Sequence, residues 1–424
     1  MNPYAVFVLA TLLISFVVEL VAEWLNLKAL SPAIPAGYEG LYDAQQYAKS
    51  QEYTRVRTKF GLIHSAFSLA VLLIFWFAGG FNWLDHLVRN FGLGPVLTGL
   101  LYIGILVLAS DLLSLPFSIY STFVIEERFG FNRTTPRTFV TDWLKGLGLK
   151  AILGGAILAL ILSFFEAAGP AAWIYCWIAS SLILIVLQFV APIWIMPLFN
   201  KFTPLPDGEL RKALNDYASK VHFTFKDLFV MDGSKRSTKA NAFFTGFGKN
   251  KRIALFDTLV QEQTVPEVVG VLAHEVGHYK LHHIITGMII SLLQLGIMFF
   301  LFSLFLGNRL MFDAFGMEQI SVYGALIFFG LLYEPVSFLL SIAMNAHSRH
   351  NEFAADRYSV QTAGDSHSLI SALRKLSIKN LSNLTPHPFY VFLHYSHPPL
   401  MERVNAIARN AGKAEAVEYA EVHG

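Results

Sequence analysis

Residues 264–306 read TVPEVVGVLAHEVGHYKLHHIITGMIISLLQLGIMFFLFSLFL and join a capped polar helix to a long apolar run. Thr264 and Glu267 have the spacing of a capping box, and Pro266 suits the first turn, so we expect a helix to begin here. The apolar run His283–Leu306 follows directly, and roughly 20 apolar residues can cross a bilayer as a helix. This stretch therefore predicts a helix just outside a membrane that leads into a membrane-spanning one.

The same stretch contains an HExxH motif formed by His274, Glu275 and His278. Side chains four residues apart share one face of a helix, so the two imidazoles can bind one Zn²⁺ at about 2.0–2.1 Å. Glu275 lies beside such an ion and can take a proton from a zinc-bound water. The pattern favours a zinc hydrolase over the alternative, a surface helix with two solvated histidines.

A catalytic zinc site needs a third protein ligand and an open fourth position. The helix-like segment Asn351–Tyr358 offers Glu352 as that ligand. Asp356 lies one turn further on the same face and can accept a hydrogen bond from a ligand histidine, which would fix the tautomer of that histidine. A carboxylate pair at this spacing is common on solvated helices, so the assignment depends on the HExxH helix.

Six further apolar runs predict a polytopic membrane protein. Of the 424 residues, 54% are hydrophobic and only 15% are charged, which excludes an ordinary soluble protein and a disordered chain. The single cysteine, Cys176, excludes a disulfide scaffold and a Cys-based metal cluster. The first run lacks the basic segment of a cleavable signal peptide, so we expect it to be retained. The six runs are Tyr4–Leu25, Gly61–Trp83, Val96–Tyr120, Leu147–Phe165, Ala171–Leu198 and Val322–Asn345.

Positive charges in the connecting loops predict the orientation of the seven spans. The loop after the second run holds only Arg89, whereas the loop after the third holds Arg128, Arg133, Arg137 and Lys145. Cytoplasmic loops carry the excess of Lys and Arg. We therefore expect the N-terminus outside and the C-terminus in the cytoplasm.

Two polar regions fall on the predicted cytoplasmic side, where they can meet. We divide the chain into a membrane region with five helices (1–199), a catalytic segment (200–282), a hairpin of two membrane helices (283–346) and a C-terminal segment with the third ligand (347–424). A helix-like stretch, Leu41–Arg57, is dense in Tyr and Gln. It lies either on the membrane surface or against the cytoplasmic segments, and the sequence leaves both arrangements open.

Four motifs together resemble the type I CAAX prenyl proteases, a family of integral-membrane zinc metallopeptidases with bacterial relatives. The similarity runs along nearly the whole chain and includes the region from Tyr38 to Lys59. The residues that carry it are His274–His278, Asn351–Asp356, Ser237–Arg252 and His394–Arg403.

The resemblance implies an all-α polytopic membrane protein in which seven helices surround a large hydrophilic chamber. It implies a mainly helical cytoplasmic zinc-metallopeptidase domain, and endoproteolysis that removes the last three residues of a prenylated CaaX-type peptide. His397 and Arg403 match family positions that contact the substrate or the oxyanion, and donors of this kind suit a developing negative charge.

A β-hairpin is predicted upstream of the HExxH helix. Asn241–Phe247 and Arg252–Asp257 are the two strands, and Gly248, Lys249 and Asn250 form the turn. An exposed edge here could align an extended peptide by β-augmentation, and the alternative is an ordinary hairpin without that role. The candidate substrate-binding residues are Asn241, Ala242, Phe243 and Phe244.

Ionisable residues within the spans are expensive in lipid and normally face a polar interior. Glu19, Glu23, Asp111 and Glu334 could therefore line an aqueous chamber or pair across helices, and both readings can hold. His282 and His283 follow the ligand helix, but neither has the right face to join His274 and His278 as a primary ligand, and we interpret both as interfacial. His387 and His394 stay unassigned.

Three functions remain open, and the membrane zinc endopeptidase is favoured. A membrane quality-control protease shares the HExxH motif but usually has fewer spans, and a scaffold or transporter has no need of Glu275. We expect one Zn²⁺ per chain, a peptide or protein substrate with or without a prenyl group, the bilayer as a partner, and no nucleic acid. The absence of an evident retrieval signal at Glu418–Gly424 favours a bacterial inner membrane, with the endoplasmic reticulum as the eukaryotic alternative.

Overall fold

The predicted apolar runs become seven helical stretches of membrane length in the computed structural model, which describes residues 2–35, 43–245 and 252–423. Within those ranges the candidate spans are Pro3–Ala29, Ala44–Phe77, Pro95–Glu126, Pro136–Ala167, Gly169–Phe199, His283–Phe305 and Val322–Ala363. The prediction of an all-α polytopic membrane protein with seven spans is confirmed.

The helices divide between a membrane half and a polar half. The membrane half contains α1 (Pro3–Ala29), α2 (Ala44–Phe77), α3 (Gly80–Arg89), α4 (Pro95–Tyr120), α5 (Pro136–Leu149), α6 (Gly155–Ala167), α7 (Ala172–Val190), α8 (Met196–Phe199), α12 (His283–Phe305), α13 (Arg309–Ala314) and α14 (Val322–Ala363). The polar half contains α9 (Glu209–Lys220), α10 (Asp257–Glu262), α11 (Val265–Lys280), α15 (Ser366–Lys379), α16 (Pro388–His394) and α17 (Leu400–His423). Three π-helical segments extend spans of the membrane half: Ser121–Glu126, Lys150–Gly154 and Ala191–Ile195.

Three spans differ from their predicted bounds by more than ten residues at one end, because polar residues do not by themselves end a helix. The fourth was predicted to begin at Leu147 but begins at Pro136. The seventh was predicted to end at Asn345, but α14 continues to Ala363, so that it is 42 residues long and includes the ligand segment. The second was predicted over Gly61–Trp83, but α2 begins at Ala44 and stops at Phe77. It stops there because Gly79 adopts a left-handed conformation with φ of 76°, and α3 then starts in a new direction.

The open question about Leu41–Arg57 is answered for its described part, residues 43–57. This part is the first half of α2 and packs on the polar half. Tyr47 is fully buried against Leu384, and Tyr53 is buried with Leu381. The region is therefore an arm of the second span that reaches the polar half.

Buried apolar side chains of the spans concentrate at the end of the bundle remote from the HExxH helix. This core includes Trp76, Phe81, Tyr102, Phe302 and Phe328. Taken over its length, each span is sparsely buried. In the apolar 18-residue window of each candidate span, at most 17% of the residues are buried. Most of the surface of each span is therefore exposed, and the hydrophilic chamber stays a prediction.

Each of the four intramembrane carboxylates meets a polar group from another helix. Lys150 Nζ donates to Asp111 Oδ2 at 2.6 Å, and Ser15 Oγ donates to Glu334 Oε2 at 3.0 Å. The other two contacts are Thr58 Oγ1 to Glu23 Oε2 at 3.3 Å and His394 Nε2 to Glu19 Oε2 at 3.1 Å. The four carboxylates therefore pair with polar groups of other helices, and this pairing is compatible with a polar interior.

A four-stranded sheet lies beside α11 in the polar half. Its strands are β1 (Phe202–Pro204), β2 (Asp227–Met231), β3 (Ala242–Thr245) and β4 (Arg252–Phe256), in the order β1-β2-β4-β3. β2 and β4 are parallel and the other pairs are antiparallel. The predicted hairpin strands are thus present with shorter bounds, while the turn at Gly248, Lys249 and Asn250 lies outside the described residues. β3 is an edge strand of this sheet.

Candidate metal centre

The HExxH helix α11 begins where the capping box predicts. Thr264 is the N-cap residue, and its backbone N–H donates to Glu267 Oε2 at 2.7 Å. The apolar face of α11, including Leu272 and Val276, packs into the core shared with the sheet. The helix is therefore fixed at its start and along one face, which leaves its other face free to present the motif.

A glycine inside the motif brings the third ligand close. A Cβ atom at Gly277 would lie 3.1 Å from the Cα of Ala355, so α11 and α14 approach closely at this residue. Two turns before Gly277, the carbonyl of Gly270 accepts a hydrogen bond from Ser359 Oγ at 2.9 Å. This close contact places Glu352, three residues before Ala355, opposite the two histidines.

His274, His278 and Glu352 offer donor atoms that all lie within 4.8 Å of one another. The two Nε2 atoms are 3.1 Å apart, and Glu352 lies 3.4 Å from His274 Nε2 and 3.3 Å from His278 Nε2. Glu352 Oε2 is buried, and its distance of 3.4 Å is the one measured to His274 Nε2. Two imidazole nitrogens and a carboxylate oxygen that converge in this way form a donor set that suits zinc.

Asp356 and Arg403 lie behind the ligands. Asp356 is fully buried, and its Oδ1 is 2.9 Å from His274 Nδ1, the ring nitrogen that faces away from the ligand group. Arg403 donates to both oxygens of Asp356, at 2.8 and 2.6 Å, and its Nη1 is 3.3 Å from Glu352 Oε2. A carboxylate on the second nitrogen of a ligand histidine fixes the orientation of the ring.

These contacts also set the charge of His274. Burial alone would lower the pKa of His274, but its hydrogen bonds to Asp356 and Glu352 outweigh burial and raise the pKa to about 9. The metal-free centre therefore holds a proton on His274 at neutral pH. Because a ligand histidine must be neutral, a metal ion has to displace that proton, and metal affinity falls as the pH falls.

His283 is a site residue that sequence reasoning missed. Its Nδ1 lies 3.1 Å from Nδ1 of His278, so the second ligand histidine also has a partner for its outer nitrogen. His283 reaches His278 because His282 adopts a left-handed conformation with φ of 60°, which turns the start of α12 back toward α11. The interfacial interpretation of His283 stays a prediction. His282 itself is exposed, as expected for an interfacial residue.

Replacing His283 with leucine should lower the zinc affinity of the centre by about 10- to 100-fold, because the variant leaves the outer nitrogen of His278 without a partner. Competition with a chelator of known affinity measures this directly. His282→Asn is the matched control, since asparagine tolerates the left-handed backbone and the residue is exposed. Equal zinc affinity in His283→Leu and His282→Asn would contradict the assignment.

A cavity of about 410 Å³ opens on the ligand group. Glu275 lines it and is half-buried, so its carboxylate is accessible from the cavity. Gly287 of α12 and Met344 of α14 form the wall on the side of the spans, while Ala242 of edge strand β3 forms part of the opposite wall. The cavity thus lies between the membrane half and the sheet.

The remaining predicted residues lie around this cavity in different ways. His397 is exposed at the cavity, with its Nε2 3.3 Å from Glu352 Oε1. Arg403 is buried behind the ligands, and the side chains described as lining the cavity do not include it. Asn241 immediately precedes β3, and Phe243 and Phe244 pair through their backbone with Ala254 and Ile253 of β4.

Comparison with known proteins agrees with this architecture over nearly the full chain. Residues 23–201 match a family described as CAAX prenyl protease N-terminal, five membrane helices, and residues 204–411 match Peptidase family M48. A CAAX prenyl protease 1 homolog from Oryza sativa subsp. japonica is 36% identical to this chain, and the match covers 97% of this chain and 99% of the homolog. A CAAX prenyl protease 1 homolog from Arabidopsis thaliana is 37% identical, and the match covers 96% of this chain and 97% of the homolog. The crystal structure of S. mikatae Ste24p is similar with a TM-score of 0.91 at 34% identity, covering 96% of this chain and 99% of that one.

The fold and the site together define a membrane-embedded metallopeptidase of the HExxH type. Seven candidate spans carry it, and its polar half brings together the His274, His278 and Glu352 donors beside Glu275. By the extent of these matches, the chain belongs to peptidase family M48.

Proposed function

We propose that this chain is a zinc endopeptidase that removes the last three residues of prenylated CaaX-type peptides. The observation that carries the proposal is the convergence of His274, His278 and Glu352 on one point in a cavity that Glu275 lines. The substrate class is supported by relatives named CAAX prenyl protease 1 that align over nearly the whole chain.

The donor set fits one zinc ion per chain. Two neutral histidines and one carboxylate leave a fourth position open, which is the pattern of catalytic rather than structural zinc sites. The carboxylate of Glu352 and the two facing Nε2 atoms supply the lone pairs. A zinc ion held there would act as a Lewis acid toward water and the scissile carbonyl.

The chain's own residues supply the proton transfers and the binding contacts. Glu275 accepts a proton from the attacking water and later delivers it to the leaving amine nitrogen. His397 is exposed at the cavity and donates to the carbonyl oxygen as negative charge develops there. We assign Arg403 a positioning role through Asp356 and Glu352, because its guanidinium is buried against both carboxylates.

Edge strand β3 is the proposed docking site for the substrate backbone. Its partner β4 covers one edge, and Ala242 lies at the cavity. An extended peptide added antiparallel or parallel to such an edge gains affinity from main-chain hydrogen bonds with little dependence on side chains. Asn241, Ala242, Phe243 and Phe244 would then set the position of the peptide relative to the ligands.

We further propose that the polar half faces the cytoplasm and that the N-terminus lies outside. The loop Glu127–Thr135 and the start of α5 carry Arg128, Arg133 and Arg137, whereas the loop between α3 and α4 carries no Lys or Arg. The two family matches meet between residues 201 and 204, which supports the boundary between a membrane region ending at 199 and a catalytic segment starting at 200.

Incubation of the detergent-purified protein with a farnesylated CaaX peptide, followed by mass spectrometry, tests the proposed substrate. We expect a single cut three residues from the carboxyl end. The unprenylated peptide of the same sequence is the matched control and should be cut more slowly. Absence of any cut in zinc-replete protein, together with cleavage of unprenylated unfolded polypeptides, would favour the quality-control protease instead.

A further inference from the structure

The segment that leads into β3 is attached to the membrane half rather than to its own sheet alone. Thr238 donates from its backbone N–H to the carbonyl of Phe131 and from Oγ1 to the carbonyl of Gly130, both at 3.1 Å. The backbone N–H of Arg133 donates to the carbonyl of Arg236 at 3.0 Å. The loop that follows the third span therefore runs alongside this segment and pairs with it.

Lys239 is the centre of a cross-domain cluster in this segment. Its Nζ lies 2.9 Å from Oε2 of Glu126 and 2.7 Å from the hydroxyl oxygen of Tyr53. The Tyr53 hydroxyl donates in turn to Glu126 Oε1 at 2.6 Å. Lys239 Nζ also lies 4.4 Å from the ring centre of Phe131. One lysine of the polar half thus joins the arm of α2 and the end of the third span.

We propose that Lys239 is a positioning residue for the peptide substrate, because its bonds to Glu126 and Tyr53 hold edge strand β3 in place beside the catalytic cavity. This inference rests on the proposed function and adds a role for the N-terminal membrane region in peptide binding.

The cluster is sufficiently buried to hold its geometry. The side chains of Lys239 and Glu126 are 32% and 19% exposed, so water screens their attraction less than on an open surface. The removal of one partner from such a pair leaves the other charge partly buried and unpaired. Glu126 and Tyr53 of the membrane half therefore hold the side chain of Lys239 in one position.

The path from Lys239 to the cavity is short and stiff. The Lys239 carbonyl accepts a hydrogen bond from Thr258 Oγ1 at 2.9 Å. The next residue, Ala240, exchanges two hydrogen bonds with the side-chain amide of Asn380, at 3.1 and 3.2 Å. Ala242 then forms part of the cavity wall. Three residues span at most about 10 Å, so displacement of Lys239 is transmitted to the start of β3.

A shift of this strand would alter which peptide bond is cut. In a β-sheet, a slip of one residue moves a paired chain by about 3.3 Å and turns every side chain to the opposite face. An edge strand that is held less firmly should therefore bind peptide more weakly and allow more than one register over the ligands. Loss of protein stability alone would reduce the amount of active enzyme without changing the position of the cut.

The test compares Lys239→Met with Lys235→Met, an exposed lysine in the same segment. For the farnesylated CaaX peptide we expect Lys239→Met to raise KM by about 10- to 100-fold, the range of a lost charge-assisted hydrogen bond. Its products should include cuts displaced from the wild-type position, while metal content stays at the wild-type level. Lys235→Met should match wild type in KM and in product masses.

A milder variant keeps the inference testable if Lys239→Met does not fold. Tyr53→Phe removes one hydroxyl of the cluster and should raise KM in the same direction by a smaller factor. If Lys239→Met folds, a wild-type KM together with a single cut at the wild-type position would overturn the inference. If only Tyr53→Phe folds, the same result in that variant would overturn it. In both cases the proposed function would stand. Failure of the wild-type protein itself to cut the peptide would refute the proposed function and the inference with it.

Discussion

Replacement of Glu275 with glutamine should lower kcat for peptide cleavage by about 10²–10⁴-fold, the usual contribution of a general base. The amide has the shape of the carboxylate but cannot accept the proton of the attacking water. His274, His278 and Glu352 are untouched, so we expect the variant to hold as much metal as wild type. Single-turnover cleavage assays with parallel metal analysis measure both quantities.

The matched control for Glu275→Gln is Glu402→Gln, which changes an exposed glutamate next to Arg403 in the chain in the same way. It should leave both rate and metal content at the wild-type level. Cleavage at the wild-type rate by metal-loaded Glu275→Gln would contradict the assignment of Glu275 as the base.

Glu352→Gln should abolish both metal binding and cleavage. The amide oxygen carries no charge, so the site loses its only anionic ligand among the three converging residues. The buried Arg403 also loses one of its two carboxylate partners, which makes the pocket more positive and repels a cation further. After dialysis against metal-free buffer, we expect wild type to retain about one zinc per chain and the variant almost none.

The two variants separate the roles of the two glutamates. Glu275→Gln is expected to bind zinc without cleaving, and Glu352→Gln is expected to do neither. Wild-type zinc content in dialysed Glu352→Gln would show that a different side chain completes the centre. Glu402→Gln again controls for the loss of one negative charge.

Much of the site is predictable from sequence because its key spacing is local. His274 and His278 are one helical turn apart, and the capping box at Thr264 fixes where that helix begins. Glu352 is recognisable only together with the HExxH helix, because its spacing to Asp356 is common, and its own helix turns out to be the continuation of the last span. Hydropathy marks where α14 leaves the apolar region but does not mark where the helix ends.

The parts that sequence reasoning missed depend on directions that local patterns do not encode. The turn of His283 toward His278 requires the left-handed backbone at His282. The contact between Lys239 and Glu126 joins residues 113 positions apart in the chain. Arg403 is buried against Asp356 and Glu352, and this position depends on how α17 docks on α14, which no pattern within α17 reveals.

Zinc titration into the chelator-treated wild-type protein tests the central claim most directly. Activity on the farnesylated CaaX peptide should be lost on chelation, rise linearly with added zinc and level off at about one equivalent per chain, since one set of three ligands is present among the described residues. Cleavage that survives complete removal of the metal would contradict the account.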